Sequence, residues 1–326
     1  MKMFVFSMRD FDELDIFNEM CRKYGVEMEY TSQTPCLANL GMAGGCDAVN
    51  VITTAFDAPM IDRLHDIGIK CIASRTIGYD HIDVGHAERL GMGVLHISYS
   101  PGTVADYTIM MMLMGLRRLR YIMQRADIQD YTLKGKIGKE LGDCTVGVIG
   151  TGRIGKAVIQ RLGGFGSRVL AYDIFESEEV KGSAEYTDLE TIFREADVIT
   201  LHAPATADSY HMIGSKEIGM MKPGAGIVNC ARGTLIDTAA LIGGIEDGKI
   251  GFAALDVIEQ EQGLYYFNRM GEPLGNHDLA LLRSYPNVIV TPHTAFYTDH
   301  AVADMVENSI IGLKAFMNGE KSPFEV

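Results

Sequence analysis

Short apolar runs alternate with helix-like amphipathic stretches along nearly the whole chain, a rhythm that predicts an α/β protein built on parallel sheets. Two series can be separated. The first predicts strands over Met3–Ser7, Ala48–Thr53, Lys70–Ala73 and Gly93–Ile97, with a helix over Ala58–Ile67 among them. The second predicts strands over Thr145–Ile149, Arg168–Tyr172, Asp197–Leu201, Gly226–Asn229, Gly251–Asp256 and Asn287–Thr291. Ser100-Pro101 opens a long helical pattern that runs to about Arg125 and joins the two series, with proline supplying the fixed φ of a first turn. Its Met110, Met111, Met112 and Met114 suit an irregular apolar contact, with the core as the default and a subunit interface as the alternative. From about Thr298 to Met317 the pattern is helical again with no strand after it, as expected of a lone helix packing back on the first series.

At 326 residues the chain exceeds the usual size of a single core, so two domains are expected. With 47% hydrophobic and 22% charged residues it reads as an ordinary soluble protein. The 29 basic and 43 acidic residues give a formal charge of −14, which opposes a nucleic-acid backbone or an anionic bilayer. An anionic metabolite would need a local cation to hold it. The apolar stretch Val104–Leu116 contains Asp106 and is too short for a membrane span, so a buried helix is expected. Arg9 and Asp10 follow the start before an apolar signal region forms, and six scattered cysteines lack metal-ligand or dithiol spacing. The expectation is a cytoplasmic protein with reduced thiols and no metal.

The string Thr145-Val-Gly-Val-Ile-Gly150-Thr-Gly152-Arg-Ile-Gly155 places a G-x-G-x-x-G directly after a predicted strand and at the head of an amphipathic helix, Arg153–Leu162. That context converts a weak string into a dinucleotide-binding fingerprint. Gly150 allows the tight turn, Gly152 the approach of a pyrophosphate, and Gly155 close helix–strand packing. Asp173 ends the next predicted strand, where an acid can accept the 2′-hydroxyl of NAD and repel the 2′-phosphate of NADP; Glu176 adds negative charge.

Three polar residues each follow a different predicted strand: Arg232, Glu261 and His293. Each has a bland reading, as a surface ion pair, a solvated carboxylate and a core or helix-end histidine. Together, beside a dinucleotide turn, they meet the needs of 2-oxo acid reduction. Arg232 can grip a carboxylate bidentately. His293 can exchange the proton on the carbonyl oxygen, while Glu261 fixes its tautomer and stabilises its charged form.

These segments resemble the D-2-hydroxyacid dehydrogenase family, over essentially the whole chain. The likeness rests on the Gly150–Gly155 turn, Leu201-His-Ala-Pro204, the Asn229–Asp237 and Ala253–Glu261 segments, and Thr291-Pro-His-Thr-Ala-Phe-Tyr297. Its D-lactate branch, including the vancomycin-resistance type and clostridial enzymes for bulkier 2-oxo acids, is the most similar. The resemblance implies two Rossmann-like domains: a catalytic one from both chain ends, 1–100 with 299–326, and an NAD-binding one, 101–298. It implies NAD contacts at Arg153, Ile154, Asp173, Ala203, Pro204, Ser209, Cys230, Ala231 and Asp256, added to the glycines. For substrate it implies Ile77, Gly78, Tyr99, Arg232 and Phe296, and for assembly a homodimer. Gly102 and Asp106 stand where many relatives carry Asn and Glu. The Gln262–Phe267 extension argues against phosphoglycerate or glyoxylate as substrate. Within the class the reading is an enzyme of the D-lactate dehydrogenase type, with the same chemistry on phenylpyruvate or 2-oxoisocaproate as the alternative; a non-catalytic NAD-sensing module is the alternative of another class.

Overall fold

The computed structural model describes all 326 residues and divides into two compact units, Met1–Ser100 with Tyr297–Val326, and Pro101–Phe296. The first unit runs β1 (Lys2–Val5), α1 (Leu14–Tyr24), β2 (Glu27–Tyr30), β3 (Ala48–Val51), α2 (Ala58–Asp66), β4 (Cys71–Ser74), α3 (Val84–Arg89) and β5 (Gly93–Leu95), and takes back the terminal helix Asp299–Met317. Its sheet has the order β2-β1-β3-β4-β5, all parallel. Asp57 caps α2 by accepting the Met60 N–H at 3.2 Å, and Thr298 caps the terminal helix at Ala301 in the same way. Alternate strand residues feed two cores. Phe4 and Val49 pack with α2, while Met3, Val5 and Ala48 pack with Val306, Ile310 and Leu313 of the terminal helix. Each such aliphatic side chain contributes about 1.5–3 kcal/mol when buried.

The second unit runs α4 (Pro101–Leu116), α5 (Leu119–Asp127), β6 (Thr145–Ile149), α6 (Arg153–Gly163), β7 (Arg168–Tyr172), β8 (Glu185–Tyr186), α7 (Leu189–Glu195), β9 (Val198–Leu201), α8 (Ser215–Met220), β10 (Ala225–Asn229), α9 (Thr238–Glu246), β11 (Ile250–Leu255), α10 (His277–Ser284) and β12 (Val288–Val290). Its seven strands are parallel in the order β12-β11-β10-β9-β6-β7-β8. β9 and β10 are buried at every position because helices cover both faces. The chain reverses its direction of travel across the sheet between β6 and β9. Beyond the carboxyl ends of that pair an open α/β sheet offers its ligand crevice.

Three local outcomes differ from the hydrophobic pattern. The connector is two helices, because the Lys139 N–H takes the Leu116 carbonyl at 3.1 Å and Arg118 turns left-handed at φ +53°. Met111 and Met112 are fully buried in it, whereas Met110 is exposed. The edge strand β2, Glu-Met-Glu-Tyr, has too few apolar residues to announce itself; it forms by pairing its backbone with β1, reinforced by Lys2–Glu29 at 2.6 Å. The two-residue edge strand β8 is equally silent.

Candidate active site

The glycine turn sits at the carboxyl end of β6. Gly150 has φ +95°, and a Cβ there would lie 2.5 Å from the His202 carbonyl carbon after β9. A Cβ on Gly155 would strike the Gly150 oxygen at 1.9 Å, so the turn folds over its own helix only with glycine at both places. Gly152, by contrast, faces open space at the head of α6. This is the cradle that a pyrophosphate needs, bare backbone in front of first-turn amides, and the residues fit a dinucleotide. Arg153 is exposed and Ile154 half-buried in that first turn.

Asp173, just past β7, is fixed by one oxygen that takes the Thr151 N–H at 2.6 Å and the Thr151 hydroxyl at 3.2 Å. Its other oxygen takes the Phe175 N–H at 3.1 Å. Thr151 in turn bonds the Tyr186 hydroxyl at 2.8 Å, which accepts the Ser177 N–H at 2.9 Å. The Thr151–Tyr186 support was not read from the sequence, since nothing but the fold puts β8 beside the glycine turn. After β9, Ala203 approaches Gly150, and the Ser209 hydroxyl closes its loop on the Pro204 carbonyl at 2.7 Å. Cys230 is half-buried just past the end of β10, where desolvation pushes its thiol far up.

His293 follows β12, and its Nδ1 lies 2.6 Å from Glu261 Oε1. The second Glu261 oxygen accepts the Ile258 N–H at 3.1 Å, which fixes the carboxylate. Both side chains are 23% exposed, sheltered yet within reach of a ligand. The histidine backbone is left-handed, φ +53°. Asp256, wholly buried at the end of β11, holds that turn: its carbonyl takes the His293 N–H at 2.7 Å, and its carboxylate takes the Thr291 hydroxyl and the N–H groups of Thr294 and Ala295 at 2.6, 2.9 and 2.8 Å. The rings of Tyr266 and Phe296 stand 6.1 and 6.4 Å from the imidazole.

Arg232 follows β10 on a turn built by Asn229, which donates to the Arg232 carbonyl at 2.8 Å and accepts the Ala231 N–H at 3.0 Å. Gly233 then passes so close to the next loop that a Cβ would lie 2.1 Å from the Ile258 carbonyl carbon. The arginine turn and the loop leading to Glu261 are thereby pressed together. Glu259 anchors that loop. Its carboxylate joins His211 at 2.7 Å and the Thr238 hydroxyl at 2.6 Å. Burial opposes its charge, but the bonds from His211 and Thr238 hold the carboxyl below its ordinary range.

Ile77, Gly78 and Tyr99 belong to the first unit, after β4 and β5. Thr76 shapes the first of these loops by donating to the Gly78 carbonyl at 2.6 Å, and the Ile97 N–H takes the Thr76 carbonyl at 3.0 Å. Arg75, immediately before, is completely buried, bonded to Glu13 at 3.2 Å and to Asn50 at 2.8 Å. Sequence reading missed this arginine, because a charged residue at a strand end carries no sign of the buried Glu13 that waits 62 positions away. Of the two atypical connector residues, Asp106 pairs with Arg161 of α6, whose guanidinium also reaches the Gly102 carbonyl at 3.4 Å.

Residues 109–295 match the family model "D-isomer specific 2-hydroxyacid dehydrogenase, NAD binding domain". The chain is 43% identical over 321 residues to an aromatic 2-oxoacid reductase of Clostridium sporogenes, covering 97% of this chain and 96% of that one. It is 36% identical over 330 residues to a D-lactate dehydrogenase of Lactiplantibacillus plantarum, covering 100% and 99%. Among solved structures it is similar to the NAD-complexed D-isomer specific 2-hydroxyacid dehydrogenase of Lactobacillus delbrueckii ssp. bulgaricus, with a TM-score of 0.87, 31% identity and full coverage of both chains.

Proposed function

The chain belongs to the D-isomer specific 2-hydroxyacid dehydrogenase family and is an NAD-dependent D-2-hydroxyacid oxidoreductase, and on that premise we propose that it reduces a 2-oxo acid with a bulky apolar side chain, using Arg232, Glu261 and His293. The observation that carries the assignment of roles is the His293 Nδ1–Glu261 contact of 2.6 Å. It commits Nδ1–H to the carboxylate and leaves Nε2 for the substrate oxygen. NAD, when bound, accepts or supplies the hydride. His293 donates a proton to the C2 oxygen as that oxygen gains negative charge, and Glu261 stabilises the imidazolium that stands ready to do so. Arg232 binds the carboxylate through its guanidinium fork and fixes which face of C2 is presented. By the family resemblance, the remaining substrate residues are Ile77, Gly78 and Tyr99 of the first unit and Phe296 of the second. Gly150, Gly152, Arg153, Ile154, Gly155, Asp173, Ala203, Pro204, Ser209, Cys230, Ala231 and Asp256 make up the cofactor site, Asp256 by holding the backbone of the histidine turn.

The preference for a bulky side chain is supported by the two rings beside His293 and by the likeness to the clostridial aromatic reductase. The likeness to D-lactate dehydrogenases supports a second reading, pyruvate. NADH oxidation by the purified protein, compared as kcat/KM for phenylpyruvate, 2-oxoisocaproate and pyruvate, separates the two. A higher value for phenylpyruvate is expected, and a higher value for pyruvate reverses the order. The reverse reaction is expected with D- and not L-hydroxy acids. His293→Ala should lose about 10²–10⁴-fold in kcat with NADH still bound, and near-normal turnover would remove His293 from the chemistry.

The proposal includes a cytoplasmic homodimer. No helix is long and apolar enough to cross a membrane, and all six cysteines are free thiols, as a reducing compartment keeps them. Between Arg117 and Lys139, seven basic residues accompany two acidic ones in a chain of charge −14. That segment also exposes Met123, Ile128, Tyr131, Leu133 and Ile137, Leu133 to 87%. A basic, apolar arm suits the acidic surface of a second copy. Light scattering should give twice the 35.7 kDa of one chain, and a monomer would refute this part.

A further inference from the structure

The turn that begins at Glu261 touches the histidine twice. The N–H groups of Leu264 and Tyr265 both return to the Glu261 carbonyl, at 3.0 and 3.2 Å, which curls the segment into a single turn. Tyr265 sinks into the core at 8% exposure. Tyr266 leaves that turn with a left-handed backbone, φ +69°, and its hydroxyl donates to the His293 carbonyl at 2.9 Å. The carboxylate at the start of the turn therefore holds the imidazole and the phenol at its end holds the main chain of the same residue.

We propose that Tyr266 is a positioning residue for His293, the second jaw of a clamp whose first jaw is Glu261. A left-handed histidine costs on the order of 1 kcal/mol, so its peptide stays in place only when its polar groups are tied. The N–H is tied to the Asp256 and Thr291 carbonyls at 2.7 and 3.1 Å; the carbonyl is tied by Tyr266. Releasing the carbonyl leaves that peptide held from one side alone, by the Thr294 N–H bond to Asp256 at 2.9 Å, which loosens the imidazole about its own Cα and spoils the aim of Nε2. Misplacement of a catalytic group by about 1 Å can cost about 10²-fold in rate. The ring adds a second restraint, since Tyr266, His293 and Phe296 lie pairwise 6.1–6.5 Å apart with tilted or edge-on planes.

This role rests on His293 as the acid/base, and the test separates the two claims. Tyr266→Phe keeps the ring and deletes the hydrogen bond. Steady-state kinetics should show kcat reduced about 3- to 10-fold, the scale of one such bond, with KM for the 2-oxo acid, the NADH dissociation constant and the melting temperature unchanged. The solvent deuterium isotope effect on kcat/KM should rise, because proton transfer becomes more limiting. Tyr266→Leu, which also removes the ring, should fall further in kcat. An unchanged kcat in Tyr266→Phe, a raised KM at full kcat, or a parallel loss of NADH binding and melting temperature would each overturn the positioning role. The His293→Ala variant, measured alongside, reports on the reading beneath it: an inactive His293→Ala beside a fully active Tyr266→Phe sinks only the clamp.

Discussion

Glu261 Oε1 meets His293 Nδ1 at 2.6 Å while Glu261 Oε2 is pinned by the Ile258 N–H at 3.1 Å. The carboxylate thus reaches from the end of β11 to the end of β12 with both oxygens committed, and the imidazole inherits a fixed tautomer and a fixed plane. A charge-assisted bond of this kind contributes about 1.5–3 kcal/mol. Glu261→Gln retains the shape and removes the charge, so kcat/KM for 2-oxo acid reduction should drop about 10- to 100-fold with little change in NADH affinity. Retention of full activity would mean that the histidine does not depend on a charged partner.

Gly233 is where the arginine turn and the glutamate loop meet. A Cβ placed 2.1 Å from the Ile258 carbonyl carbon cannot be absorbed by a side-chain rotation, since the atom it meets is backbone. Gly233→Ala should cost about 1–3 kcal/mol of stability and shift Ile258–Glu261 away from Arg232. Thermal melting and kcat together check this: a lower melting point with a disproportionate loss of kcat is expected, and wild-type behaviour in both would contradict the packing.

Asp173 is oriented by Thr151 and Phe175, which leaves its carboxylate as a fixed negative charge at the end of β7. Asp173→Asn keeps the capacity to accept the Thr151 N–H and removes the repulsion of a 2′-phosphate. The ratio of kcat/KM for NADH over NADPH should fall about tenfold or more, from a like-charge term of about 1–4 kcal/mol near a protein surface. An unaltered ratio would place the selection elsewhere.

His202 packs behind Gly150 and Gly155, and burial holds its imidazole neutral, pulled down from the ordinary value to about 3. An unfolded chain protonates the same ring near about 6.5. Stability from the neutral ring is fully present above that pH. It is lost as the pH falls toward about 3, by about 1.4 kcal/mol per unit, because only the unfolded state takes up the proton. Melting temperatures measured between about pH 7 and about pH 5 should fall, and His202→Gln should flatten the slope. An equal slope in the variant would assign the acid sensitivity to other groups.

The sequence alone determined the parts of this protein that depend on local order. Gly150, Gly152 and Gly155 could be read as a phosphate turn because strand, glycines, helix and Asp173 follow one another within a single βαβ unit, and each residue's role there is set by neighbours a few positions away. The buried strands β3, β4, β9 and β10 announced themselves by short, mainly apolar runs, since both faces of these parallel strands are covered; the polar residues inside them, Asn50 and Thr200, are hydrogen-bonded to Ser309 and His202. The roles expected of Arg232, Glu261 and His293 came from chemistry and resemblance, and their dispersal over three strand ends hides from the chain the distances on which those roles depend. Tertiary structure decided what joins distant positions. The break at Arg117–Arg118 depends on Lys139 capturing a carbonyl, and β2 exists because β1 offers an edge. Arg75 can be buried because Glu13 and Asn50 are buried with it. The same holds for Tyr266, which in the sequence is one apolar residue in an aromatic run. Only a left-handed backbone and the return of the chain 27 positions later bring its hydroxyl to the His293 carbonyl. Hydrogen bonds of this kind are short-range and directional, so hydrophobic periodicity, which records only which face is buried, carries no trace of them.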